Sequence, residues 1–151
     1  GLSYEEALTL MVNDVDETDP ITGQSFNLDV DGNGEVGALG DGLMIIRKMF
    51  GSAFADDALT NKAVASDANR TTDQIHEFIQ AGIDNKDLDV DKNGEVTALG
   101  DGLMVIRHLF GSAFAGDALI DKAISPDSPY YGQEDAALMV AQNIDALNTF
   151  I

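Results

Sequence analysis

Apolar residues fall at helical spacing in five stretches of the chain. Leu39, Leu43, Ile46 and Phe50 form one stripe, which Ile45 and Met49 widen and Gly51 is placed to end. Leu99, Leu103, Ile106 and Phe110, followed by Gly111, repeat that pattern. Thr71-x-x-Gln74 reads as a capping box opening a helix that carries Ile75, Phe78, Ile79 and Ile83. Residues 134–150 carry Leu138, Val140, Ile144, Leu147 and Phe150 after a loop marked by Pro126, Pro129 and Gly132. Near the start, Ser3-x-x-Glu6 is another capping box, and Leu8, Met11, Val12 and Val15 supply the apolar face of a helix over about 3–15. Strand patterning is limited to short positions at Val36 and Val96. The expected fold class is all-α, with residues 1–151 as a single domain. Repeat 1 spans about 26–84 and repeat 2 about 86–151, each a loop–helix–helix unit packed around one shared core.

The repeats come from an internal duplication. LDVDGNGEVGALGDGLMIIRKMFGSAFA at 28–55 and LDVDKNGEVTALGDGLMVIRHLFGSAFA at 88–115 agree at 23 of 28 positions, offset by 60 residues. Weaker similarity continues through Asp57-Ala58-Leu59 and Lys62-Ala63 and their counterparts Asp117-Ala118-Leu119 and Lys122-Ala123. Each copy opens with a loop: Asp29, Asp31, Asn33, Gly34, Glu35 and Val36, then Asp89, Asp91, Asn93, Gly94, Glu95 and Val96.

Oxygen side chains at loop positions 1, 3 and 5 converge on a hard cation. Gly at position 6 permits the sharp turn, the residue at 7 adds a backbone carbonyl, and the apolar residue at 8 anchors the loop to the core. Glu35 and Glu95 stand at position 7, so their part is the carbonyl. An EF-hand loop closes with Glu at position 12, which here is Gly40 or Gly100. Asp41 and Asp101, one residue later, are the carboxylates available to close the loops. A single such loop also reads as an acidic turn, whereas two copies, each with the same closing Asp and the same helix, argue for metal. An oxygen-only set favours Ca²⁺, since Zn²⁺ prefers His or Cys and Mg²⁺ keeps several waters. Two Ca²⁺ are expected, and lanthanide ions would fit the same chemistry. Lys92 in place of Gly32 weakens the second site electrostatically, while Thr97 opposite Gly37 works the other way if it orients a ligand water.

Composition narrows the function classes. The chain holds 27 Asp and Glu against 8 Lys and Arg, a formal net charge of −19. Such a chain is repelled by nucleic-acid phosphate and anionic lipid, so neither is an expected partner. Two bound Ca²⁺ would leave −15 of the −19, so most of the acidic surface serves something else. With no cysteine there is no disulfide, thiolate metal site or cysteine nucleophile. A hydrophobic share of 44% is too high for a disordered acidic tail. No stretch approaches 18 uncharged apolar residues, so no membrane span is expected. Paired carboxylates can hydrolyse glycosides, but the loop aspartates are committed to metal and Phe and Tyr without Trp make no sugar platform. His76 and His108 sit on helices without a nearby nucleophile, and an enzyme is not expected. Arg47 and Arg107 suit helix C-termini or an acidic neighbour, and alternatively mark a partner surface. Met11, Met44, Met49, Met104 and Met139 read as core filling or as an adaptable groove. Asn13-Asp14-Val15-Asp16-Glu17-Thr18-Asp19 reads as a solvated turn, or as a degenerate third loop lacking the glycine.

The loop Asp-x-Asp-x-Asn-Gly-x-Val, with a helix ending Arg47-Lys48-Met49-Phe50-Gly51 or Arg107-His108-Leu109-Phe110-Gly111, resembles the dockerin type I repeat. The match covers about a third of the chain. The resemblance implies an EF-hand-like calcium-binding duplicate, calcium-dependent folding, attachment to a cohesin-like or other cell-surface protein, and an extracellular bacterial setting. It carries onto Asp29, Asp31, Asn33, Asp89, Asp91 and Asn93. Three features depart from it: the long period with its added helix, the displaced closing Asp, and Ala38-Leu39 and Ala98-Leu99 where dockerins present hydroxyl residues to cohesin. A start at Gly1-Leu2-Ser3, without initiator Met or signal segment, fits a fragment of a larger secreted protein. A calcium-rigidified spacer and a calcium sensor are the other two readings of the same loops.

Overall fold

The computed structural model describes residues 25–148. The helix expected over 3–15, the turn at 13–19 and Phe150 lie outside the described residues. Within them the fold is all-α, with four α-helices and no strand. They are α1 (Leu43–Met49), α2 (Thr72–Asp84), α3 (Leu103–Phe110) and α4 (Ala136–Ala146). α1 and α3 are each entered through a π-helical turn, Ala38–Gly42 and Ala98–Gly102, and each is followed by short 3₁₀ turns.

Helix α2 begins where its capping box places it: the Thr71 side chain accepts from the Gln74 N–H, and the Thr71 N–H donates to the Gln74 side chain. Its inward stripe is Ile75, Phe78 and Ile79. On α4 the inward stripe is Ala136, Val140 and Ile144, while Leu138 is exposed, contrary to expectation. The two repeats share one hydrophobic cluster, to which Leu28, Val30, Met44, Ile45 and Leu59 contribute from the first, and Leu88, Val90, Met104, Val105 and Leu119 from the second. Met44 and Met104 are wholly buried core residues.

The stripe on α1 and α3 is rotated from the one the spacing predicts. Leu39 and Leu99 are 66% and 65% exposed, and Phe50 and Phe110 are 47% exposed, whereas Met44 and Ile45 face inward. The cause is Asp41, which holds an inward position on the entering turn and is buried. Leu39, two residues earlier, lies on the far side of that turn and faces solvent.

The repeats meet through α1 and α3. A Cβ built on Gly42 would lie 3.1 Å from Ile106 Cγ1 and 3.2 Å from Leu109 Cδ1; one built on Gly102 would lie 2.8 Å from Met49 Sδ and 3.0 Å from Ile46 Cγ1. The start of each helix therefore packs on the later turns of the other, in an antiparallel, pseudo-twofold arrangement. The long helices complete the symmetry. α2 leads directly into the second loop, where the Leu88 N–H donates to the Gly82 carbonyl at 3.1 Å. The chain just after α4 returns to the first loop, where the Leu28 N–H donates to the Leu147 carbonyl at 2.9 Å. Gly82 is needed for a close approach of its own, since an added Cβ would fall 2.7 Å from the Phe26 ring.

Substituting Gly102→Ala presses a methyl group against Met49 and Ile46 of α1 at the helix crossing. We expect a loss of roughly 1–3 kcal/mol in urea unfolding, typical of an overpacked core, and a smaller loss when Met49 is also shortened to Ala. Equal penalties in the two backgrounds would show that the crossing is looser than described.

Candidate metal centre

Each loop collects three buried carboxylates. Among the described residues, two groups of acidic side chains bring one oxygen each to within 4.8 Å of one another: Asp29 with Asp31 and Asp41, and Asp89 with Asp91 and Asp101. All six are at most 8% exposed. Oxygens on opposite sides of an ion bound at 2.3–2.6 Å stand about 4.6–5.2 Å apart, so the triads are of a size to hold one.

The local chain dictates the first member. Both Asp29 oxygens accept from the loop that follows, Oδ1 from the Asn33 N–H at 3.1 Å and Oδ2 from the Gly34 N–H at 2.9 Å. That wrapping requires the backbone reversal at Gly34, whose φ is +92°. In the second loop Asp89 accepts in the same way from Asn93 and Gly94, at 3.2 and 2.9 Å.

The displaced closing residue is brought in by the π-helical turn. The Gly42 N–H donates to the Gly37 carbonyl at 3.0 Å, and the Gly102 N–H to the Thr97 carbonyl at 3.0 Å, each five residues back. A π turn holds one more residue than an α turn. The extra residue offsets the displacement, so that Asp41 and Asp101 reach the cluster from position 13. Asp41 Oδ1 accepts from the Val30 N–H at 2.8 Å and Oδ2 from the Gly37 N–H at 3.0 Å. Val90 and Thr97 donate to Asp101 at 2.8 and 3.0 Å.

Asp31 differs. Its Oδ2 accepts from the Ala65 N–H at 2.9 Å, from a segment 34 residues downstream, while its Oδ1 is buried with no hydrogen-bond partner. Asp91 repeats this, with Ser125 donating to Oδ2 at 2.9 Å and Oδ1 likewise without a partner. A buried carboxylate oxygen without a donor is costly. Its position beside two other carboxylates fits a cation as the missing partner. The partnered oxygens retain a lone pair each for the same ion.

The electrostatics point the same way. Burial pushes the Asp41 and Asp101 carboxyls up to about 7 from 3.8, and the Asp31 and Asp91 charges add to the rise against the pull of backbone N–H donors. Burial likewise raises Asp31 and Asp91, opposed by the Ala65 and Ser125 amides and reinforced by Asp29 and Asp89. These groups resist being anionic together unless a positive charge joins them.

The remaining expected ligands are less engaged. Asn33 and Asn93 are half-buried, and their side-chain oxygens accept from the Glu35 and Glu95 N–H at 3.1 and 3.2 Å, closing a turn within the loop. Glu35 and Glu95 are exposed at the rim, as fits a residue whose part is its carbonyl.

Other supporting groups were not read from the sequence. Arg70 is buried and donates through Nη1 to the Asp29 and Val30 carbonyls at 2.9 and 3.1 Å, its guanidinium 3.9 Å from the Phe78 ring centre. In the second repeat Ser128 donates to the Asp91 carbonyl and Asn143 to that of Val90. This difference bears on one of the five changes between the two 28-residue segments. A Cβ at Gly32 would meet Arg70 Nη1 at 3.2 Å, whereas the second repeat has no arginine there and Lys92 is exposed. The weak similarity at Lys62-Ala63 and Lys122-Ala123 was the only sequence signal of these downstream segments.

Arg47 and Arg107 resolve toward structure. Arg47 Nη1 donates to the carbonyls of Ala58, Leu59 and Asn61 at 3.4, 3.0 and 2.8 Å, and Arg107 makes the same three bonds 60 residues on. His76 lies between Lys48 Nζ and the Asp56 carbonyl, and His108 bonds Asp145 at 2.7 Å, so neither reaches a triad.

The chain matches no protein-family model, no curated protein and no solved structure. The resemblance to dockerin repeats therefore rests on the loop and helix residues themselves.

The raised carboxyls set a pH dependence. Between about 4 and about 7 the metal-free folded chain holds protons at Asp41 and Asp101 that the unfolded chain has released. Stability in chelator should therefore fall as pH rises through that window. With a cation bound the carboxylates are needed as anions, and the slope should reverse. Urea unfolding across pH, with and without chelator, checks both slopes; parallel curves would show that the triads do not respond to metal.

Proposed function

We propose that this is a non-catalytic calcium-binding module in which each Asp triad holds one Ca²⁺, acting in attachment or assembly as a dockerin-like part of an extracellular bacterial protein. The observation that carries the reading is the buried, unpartnered oxygen of Asp31 and of Asp91, each set among three carboxylates. An all-oxygen, carboxylate-rich site suits Ca²⁺ better than Mg²⁺, which keeps several waters, or Zn²⁺, which prefers His or Cys. Asn33 and Asn93, with the carbonyls of Glu35 and Glu95, complete the proposed ligand set in an EF-hand-like manner. Sites of this kind in extracellular modules work at about 10⁻⁴–10⁻³ M calcium.

Attachment is favoured over a bare spacer by the surface beside each loop. Leu39 and Leu99 stand 66% and 65% exposed at equivalent positions, where the dockerin resemblance locates its partner-facing residues. We read this leucine, displayed at the same position of both repeats, as the contact with a partner's apolar surface. It differs from the hydroxyl residues typical of dockerins, so the partner would be a cohesin-like protein with a more apolar face.

Calorimetry should find two Ca²⁺ per chain, one after Asp29→Ala and one after Asp89→Ala. Calcium at a hundredfold excess over Kd should stabilise the fold by about 2.7 kcal/mol per site. An unchanged unfolding midpoint between calcium and chelator would remove the calcium reading. For attachment, a cohesin module should bind the loaded chain at least tenfold more weakly after Leu39→Asp with Leu99→Asp. Absence of binding to the parent chain would remove cohesin as partner and leave the calcium sites standing.

A further inference from the structure

The three members of each triad are anchored unequally. Asp29 and Asp41 each hold two backbone N–H groups from their own loop, at separations of four to eleven residues. The Asp31 carboxylate has one close backbone donor, Ala65, in the irregular segment between the 3₁₀ turn Asp56–Ala58 and α2, with the Asn33 N–H a weaker influence. This strap passes close over the π-helical turn, where a Cβ on Gly40 would lie 3.2 Å from the Ala63 carbonyl. Its two ends are tied independently of the carboxylates. Arg47 clamps the carbonyls of Ala58, Leu59 and Asn61, and the N–H groups of Asn69 and Arg70 donate to the Asp31 carbonyl at 2.8 and 3.2 Å.

The second repeat reproduces the plan. Ser125 donates to Asp91, a Cβ on Gly100 would lie 3.2 Å from the Ala123 carbonyl, and Arg107 and Ser128 tie the ends. Two copies with different residues at the amide, Ala65 and Ser125, show that a backbone donor is what the position demands.

We infer that Asp31 and Asp91 couple cation occupancy to the strap of their own repeat: one oxygen serves the ion while the other latches the strap. The inference rests on the calcium reading above. With the ion bound, the carboxylate is held inward and its second oxygen keeps the amide of Ala65 or Ser125. Without it, Oδ1 of Asp31 is left with no partner, and the carboxylate held by the fewest close backbone donors is the one free to turn. Asp31 moves away from Asp29 and Asp41, and its bond to the strap is lost. The middle of the strap, around Ala63 and Val64, then loosens between ends that stay tied. Each site thus carries an ion-responsive surface 34 residues along the chain from its ligand.

Amide hydrogen exchange on the full chain, in saturating calcium and in chelator, reads this directly. Ala65 and Ser125 should lose at least tenfold protection on chelation, while Ile75 in α2 and Met139 in α4 change less than threefold. Asp89→Ala in saturating calcium should free Ser125 and leave Ala65 protected. Loss shared equally by all four amides, or protection at Ala65 and Ser125 that does not change although calorimetry on the same samples records calcium binding, would overturn the coupling. Absence of any binding heat would instead remove the calcium reading on which it rests.

Discussion

Three aspartates, each at most 8% exposed and with oxygens inside 4.8 Å of one another, repel as anions and are poorly solvated, and most of the local architecture follows from accommodating them. Backbone N–H groups are spent on five of the six carboxylate oxygens of the first triad, and the same holds for the second. The sixth oxygen, on Asp31 or Asp91, has none. A divalent cation answers the repulsion, the desolvation and the missing partner together.

The same demand shapes the helices. Asp41 and Asp101 must point inward from the first turn of their helical segments, and that turn is π-helical because the closing carboxylate stands one residue late. The inward position taken by the carboxylate leaves Leu39 and Leu99 on the surface. The glycine after each of these aspartates lets the partner helix approach, so Gly42 and Gly102 join the two sites through one tight crossing. Asp triad, exposed leucine and repeat interface are thus consequences of one local constraint, applied twice.

Much of this was legible in the sequence. The duplication, the helical class, the capping box at Thr71 and the acidic members of each triad all rest on local spacing. Asp41 and Asp101 could be named by elimination, although the π turn that delivers them could not. It depends on five-residue backbone bonding that no side-chain pattern announces. The rotated stripe on α1 and α3 was hidden for the same reason, because apolar periodicity assumes a regular helix throughout. The donors from Ala65 and Ser125 are backbone groups and leave no compositional mark. Arg70 and Asn143 support equivalent carbonyls with different chemistry, so comparing the repeats could not expose them.

The most direct measurement is anomalous diffraction from crystals of the chain grown with calcium. Calcium binding in the triads requires two calcium peaks, one inside each, with Asp31 Oδ1 and Asp91 Oδ1 at about 2.3–2.6 Å from the ion. Peaks only at surface carboxylates, or triads that keep their shape in calcium with no ion between Asp29, Asp31 and Asp41, would contradict it.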